Sequence, residues 1–241
     1  MRYAILADIH SNIEALDSVL KNCQQQKIDG IFCAGDIVGY GANPLECLQR
    51  LGEVQAICVA GNHDWAVSGR LNASYFTNDG KAALAWTRNK LPLDYVQFFN
   101  KLELCYQHSD FEMVHSSPLH PERFSYLDDI SKVAQAVGHM KTSVCFIGHT
   151  HVPRIYVSHA EQVTFYANNE IDIIPGNKYL VNVGSVGQPR DGNSLASFAI
   201  FDTELKTIRI QRQKYDIPAA QAKIISAGLP KALADRLSFG K

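Results

Sequence analysis

Asp8, His10, Asp36, Asn62, His115, His149 and His151 are residue types that hold cations, and each stands at or just beyond the end of a short apolar run. The runs occupy 4–7, 31–35, 57–61, 111–114 and 144–148. Two carboxylates, one amide oxygen and four imidazoles form a mixed nitrogen and oxygen donor set without thiolate. Such a set suits Mn, Fe, Zn, Co or Ni better than Ca or an iron–sulfur cluster. It has too many donors for one tetrahedral ion. Two divalent transition metal ions about 3.5–4 Å apart, sharing Asp36 as a bridging carboxylate, would use all of it and make the clamp found in phosphoryl and phosphodiester hydrolysis. The expectation is a dinuclear centre.

Donors spread from 8 to 151 can meet only if the runs between them are strands of one architecture. Buried strands of mixed or parallel sheets read as continuous apolar stretches, and ligands gather outside their carboxyl ends. The first half alternates a strand at 3–7, an amphipathic stretch carrying Ile13, Leu16, Leu20 and Cys23, a strand at 30–34, a helix at 45–51 and a strand at 55–60. This is βαβαβ order. Asn12 is placed to cap the first helix, and Asn43 with Pro44 the second. Asp36, Asn62 and His149 each follow a glycine, which permits a sharp turn and a close backbone approach.

The segment 65–100 is patterned as a helical insertion beside the site, broken at Pro92. Beyond it, β-branched and aromatic runs at 102–106, 111–115, 144–148, 155–157, 163–166, 179–183, 196–201 and 207–211 predict a second sheet, with a helix near 130–137. The tail, 217–241, is helical and interrupted by Gly228 and Pro230. Trp65, Phe76 and Trp86 are expected in the core, as aromatics at helical spacing usually are. The chain of 241 residues reads as one domain.

Composition narrows the function. A hydrophobic content of 46% supplies a core, and a net charge of -1 with scattered lysines and arginines offers no stripe for a nucleic-acid backbone. The six cysteines form no C-x-x-C pair, and no apolar stretch approaches membrane-spanning length. The expected compartment is cytoplasmic and the expected partner a small phosphorylated substrate, with no membrane or nucleic acid; homo-oligomer formation is left open.

The strings D-x-H at Asp8 to His10, G-D at Asp36, G-N-H-D at Gly61 to Asp64, His115, and G-H-T-H at Gly148 to His151 resemble the signature of the calcineurin-like metallophosphoesterases. D-I-H-S-N, G-D-I-V-G-Y-G and G-S-V-G-Q-P-R at Gly184 to Arg190 resemble a small prokaryotic subgroup of phosphodiesterases and phosphatases. The resemblance implies an α/β fold, a four-layer αββα sandwich of two mixed β-sheets flanked by helices, with the metals at the sheet ends. It implies one metal held by Asp8, His10, Asp36 and His151, the other by Asp36, Asn62, His115 and His149. His63 is then free of metal, and with Asp64 beside it is expected to be catalytic, stabilising charge or protonating a leaving oxygen. The nucleophile would be a hydroxide made available near neutral pH by two Lewis acids, manganese among the ions considered.

Asn12, Tyr40 and Arg190 are the expected substrate contacts. Selectivity is assigned to loops in 65–78 and 154–175. His108, His120, His139 and His159 match no part of the pattern and are expected on the surface or in packing roles. A phosphodiesterase is favoured over a phosphomonoesterase or protein phosphatase; a non-catalytic protein-binding scaffold on the same fold is the alternative from another class.

Overall fold

Strands that are apolar on both faces need cover on both sides, and the chain provides it with two sheets packed face to face inside helices. The computed structural model describes residues 1–241. The strands are β1 (Arg2–Leu6), β2 (Gly30–Cys33), β3 (Ile57–Cys58), β4 (Cys105–Gln107), β5 (Glu112–Val114), β6 (Val144–Ile147), β7 (Arg154–His159), β8 (Gln162–Tyr166), β9 (Glu170–Asp172), β10 (Lys178–Asn182), β11 (Ala196–Asp202) and β12 (Thr207–Gln213). The helices are α1 (Ile13–Gln25), α2 (Pro44–Glu53), α3 (Asn62–Ser68), α4 (Asn78–Lys90), α5 (Leu93–Phe98), α6 (Ile130–Gly138), α7 (Ile217–Ser226) and α8 (Lys231–Asp235). One six-stranded sheet runs β3-β2-β1-β11-β12-β9 and the other β4-β5-β6-β10-β7-β8. Each contains three adjacent parallel strands: β1, β2 and β3 in the first, β5, β6 and β10 in the second.

Alternation along the strands sorts side chains between layers. In β1, Tyr3 and Ile5 enter the core between the sheets, while Ala4 and Leu6 meet α1 and α2. In β6, Val144 and Phe146 face the inter-sheet core, while Cys145 and Ile147 pack under α6. The result is the expected αββα arrangement. The helical tail joins α4: Ala83 shares a cluster with Ala220, Ile224, Leu233 and Leu237.

Several elements differ from expectation. The strand expected at 55–60 is only Ile57–Cys58, an edge strand, because the chain turns at once into the Gly61 loop. β4 starts at Cys105 rather than 102. β9 was not anticipated, since three residues paired to β12 are too few to display a period. Asn12 does cap α1, accepting from the Ala15 N–H at 3.1 Å. Asn43 stands at the N-terminus of α2 without capping it; its amide donates to Glu46 Oε1 instead. The 65–100 segment is helical, in separate pieces: a 3-10 turn, Ala73–Tyr75, joins α3 to α4, Pro92 separates α4 from α5, and a second 3-10 turn, Phe99–Lys101, follows α5.

Candidate metal centre

All seven predicted donors lie together where the parallel strands of both sheets end. Asp8 and His10 follow β1, Asp36 follows β2, Asn62 follows β3, His115 follows β5, and His149 and His151 follow β6. Backbone bonds extend the pairing beyond the strands and stitch the loops: Asp8 N–H to Gly35 O, His10 N–H to Asp36 O, and Gly148 N–H to His115 O. The 184–190 loop joins them, since Gly187 N–H and Ser185 Oγ both donate to Asp8 O. The two sheets are thereby tied at the point where the donors converge.

The donors themselves make the turns. Asp8, His10, Asp36, His149 and His151 have φ of 53°, 49°, 53°, 67° and 60°. For residues other than glycine this left-handed conformation costs roughly 1–2 kcal/mol each. The expected glycine turns are therefore only partly right. Gly35 has φ of 88°, but the other two glycines serve proximity. A Cβ on Gly61 would lie 2.0 Å from Asp36 Oδ1, and one on Gly148 would lie 2.4 Å from Asp8 Oδ2.

The donor atoms form two joined sets. In the first, His10 Nε2 and His151 Nε2 face each other at 3.0 Å, and Asp8 Oδ1 lies 3.2 Å from the latter and 3.8 Å from the former. In the second, His115 Nε2 is 3.1 Å from His149 Nδ1 and 3.1 Å from Asn62 Oδ1. Asp36 Oδ2 stands between them, 3.7 Å from His10 Nε2 and 3.3 Å from His115 Nε2. Its other oxygen accepts from the His63 backbone N–H at 2.8 Å, which fixes the carboxylate.

These contacts do not satisfy one another. His10 Nδ1 donates to Val38 O at 3.0 Å and His151 Nδ1 to Gln188 O at 2.6 Å, so each neutral ring presents a bare lone pair at Nε2. Burial pulls both pKa values down, so neither ring carries a second proton at neutral pH. Two lone pairs thus face each other, and Asp8 Oδ1 is buried with no hydrogen-bond partner. A cation among these atoms would relieve both faults, and imidazoles anchored through Nδ1 to backbone carbonyls are the usual setting of metal ligands. The donor set fits divalent metal. Electrostatics agree around Asp36: burial opposes its charge, but His115 and its other imidazole neighbours hold its pKa well below the usual value. Asp36 in turn raises His115 to about 9 against burial.

His63 and Asp64 separate in role. The His63 ring is caged by Tyr40, Phe76 and His10, with centroids at 4.5, 4.8 and 4.7 Å. It offers a nitrogen within 4.8 Å of donor atoms on His10 and Asp36. Burial lowers its pKa to about 4, so it is neutral at pH 7 and holds one ring proton. Asp64 does not orient it. Its carboxylate accepts from the backbone N–H groups of Ile37, Val38 and Gly61, pinning the Asp36 loop to the start of α3. Burial and the Asp36 charge push Asp64 up to about 7 against the bonds from Gly61 and Val38.

A cleft of about 690 Å³ opens over the centre, lined by Asn62, His63 and His149 together with Tyr40 and Arg190. Asn12 does not reach it: its oxygen caps α1 and its nitrogen donates to Gly187 O, so the amide is spent on holding two loops together. Phe76 packs against the edge of the core and also lines the cleft, whereas Trp65 is buried against Phe124. Tyr126, stacked on His149 at 4.1 Å, and Arg236 of the tail also line it and were not foreseen. Of the two predicted selectivity segments, 65–78 contributes Leu71, Tyr75, Phe76 and Thr77 to the cleft, and 154–175 contributes nothing. His120, His139 and His159 are exposed, and His108 is half-buried, stacked on Phe111.

Two mixed sheets in an αββα sandwich, with a buried His/Asp cluster at their joined strand ends, define a metallophosphoesterase. The chain belongs to the calcineurin-like phosphoesterase superfamily, whose domain matches residues 1–206. It is 38% identical, over 99% of its length and 98% of the relative's, to an uncharacterized protein of Methanocaldococcus jannaschii. Among solved structures it resembles a metallophosphoesterase from Sphaerobacter thermophilus, 35% identical, with TM-score 0.87 and 100% of both chains covered. A hypothetical protein from Pyrococcus horikoshii shares the fold at 19% identity and TM-score 0.82, covering 100% of this chain and 98% of its own. No helix is long and apolar enough to cross a membrane.

Proposed function

We propose that this chain is a dinuclear metal-dependent phosphodiesterase acting on a small molecule or nucleotide. The observation that carries the reading is the pair of facing imidazole lone pairs on His10 and His151 beside the unpartnered Asp8 Oδ1. Asp8, His10, Asp36 and His151 would hold one ion, and Asp36, Asn62, His115 and His149 the other, with Mn, Fe, Zn, Co or Ni suited to the donors. Bound there, the ions supply Lewis acidity to water and to phosphoryl oxygens.

The protein's own groups do the rest. Asp36, fixed by the His63 N–H, keeps the two donor sets at one spacing. Neutral His63 holds a proton for the leaving oxygen. Tyr40 shields the His10 and His63 rings from water, and Arg190 lines the cleft where it contacts the substrate. A cleft of about 690 Å³ exceeds what a lone phosphate fills and accommodates groups on both sides of a diester. Six free cysteines suit a reducing cytoplasm.

The test is an assay of chelator-treated protein with each metal returned singly. Bis(p-nitrophenyl) phosphate is expected to turn over only with metal, with kcat/KM about tenfold or more above that for p-nitrophenyl phosphate. Absence of metal-dependent hydrolysis overturns the enzyme reading, and a monoester preference overturns the diesterase.

A further inference from the structure

Two guanidinium groups meet in the cleft without a carboxylate between them. Arg190 Nη2 donates to Gln188 Oε1 at 2.8 Å, and Arg236 Nη1 donates to the same oxygen at 3.3 Å. Arg190 Nε is buried without a partner. The acids that line the cleft are Asp79 and Glu122; the latter is paired with His120 and Arg123. Like charges converging on one neutral acceptor repel, and Arg236 is pulled below its ordinary pKa by burial and then by Arg190.

Gln188 fixes where this pair sits. It is 2% exposed, its N–H donates to Ser185 Oγ, and its carbonyl accepts from His151 Nδ1. One end of the residue thus holds a predicted metal ligand and the other holds both arginines. The arginines stand beside the donor cluster rather than in it. The Tyr40 ring packs against His10 and His63 at 4.6 and 4.5 Å, and Arg190 Cζ is 5.7 Å from that same ring. An anion gripped by the pair would lie next to a phosphoryl group on the centre, within the same cleft.

We propose that Arg190 and Arg236 form a second anion site, so that the substrate carries another phosphate adjacent to the scissile one. This deepens the phosphodiesterase reading and rests on it. Guanidinium forks match the paired oxygens of a phosphate, and a diphosphate would bring negative charge directly onto a pair that Asp79 reaches only at long range. The tail acquires a function by this route: the 3-10 turn Arg236–Phe239 delivers Arg236, and Gly240 O anchors that turn by accepting from the Gly192 N–H.

The test begins with calorimetric titration of the full-length, manganese-loaded protein with inorganic phosphate and inorganic pyrophosphate. Pyrophosphate is expected to bind about tenfold or more tighter, the effect of an added charge-assisted hydrogen bond. Arg236→Met should erase that ratio and Arg236→Lys, which keeps the charge but loses the fork, should reduce it; Lys also serves where Met does not fold. Equal affinities in the parent protein, or equal losses for both anions in the variants, overturn the second site. Because these titrations need no turnover, they stand apart from the metal-dependent assay: hydrolysis without a pyrophosphate advantage sinks the second site alone, and a pyrophosphate advantage without hydrolysis sinks the enzyme reading alone.

Discussion

The space between the two sheets and the loops a few residues further along the same strands obey opposite rules. Between the sheets, Ile5, Phe146, Tyr179 and Phe201 are buried in extended backbone, and aromatic pairs such as Phe146 and Phe201 meet at 5.8 Å. At the strand ends, five donors take left-handed backbone, two lone pairs face each other and a carboxylate oxygen is buried alone. Strain and unsatisfied polar groups persist where the surroundings impose them, and they concentrate at functional sites. The inter-sheet core supplies stability that the strand ends consume.

Mutations can break that comparison. Asp36→Ala removes the oxygen common to both donor sets, and hydrolysis should fall by about 10³-fold or more with the fold retained, as rate and circular dichroism would report. If that variant unfolds as a core variant does, the two regions are not distinct. Phe201→Ala, on the other side of the comparison, should cost about 3–5 kcal/mol in denaturant unfolding. While folded, it should keep metal-dependent turnover. Gly61→Ala pushes a methyl into the Asp36 carboxylate, so kcat/KM should drop about 100-fold. A near-normal rate would mean that the close approach is not needed. The smallest effect sharpens the contrast: Asp8→Asn lets an amide donate to His151 Nε2, so the metal-free variant should match or exceed the parent in stability, to within about 1 kcal/mol, while activity is lost. A loss of several kcal/mol would show that Asp8 is structural.

The donors were legible because each stands at the end of an apolar run, a signal that survives in one dimension. Asp8, His10, Asp36, Asn62, His115, His149 and His151 were all named from it, and both sheets followed from the same runs. Asp64 was misread because its partners are backbone amides of Ile37 and Val38, which leave no mark in a side-chain pattern. Asn12 was half right: its capping duty was visible locally, and its bond to Gly187 O, 175 residues away, was not. Arg236 was missed for the same reason, since only tail docking brings it to the cleft. The strands expected at 155–157 and 163–166 form as β7 and β8, but the selectivity role expected of 154–175 does not, since the segment builds β7, β8 and β9 and no part of it lines the cleft.

The most direct measurement is an anomalous-difference map from crystals of the full chain reconstituted with manganese. Two peaks are expected, one within reach of Asp8, His10, Asp36 and His151 and one within reach of Asp36, Asn62, His115 and His149. A map with no peak among these residues, or with a single peak that leaves either set unbound, would contradict the dinuclear centre.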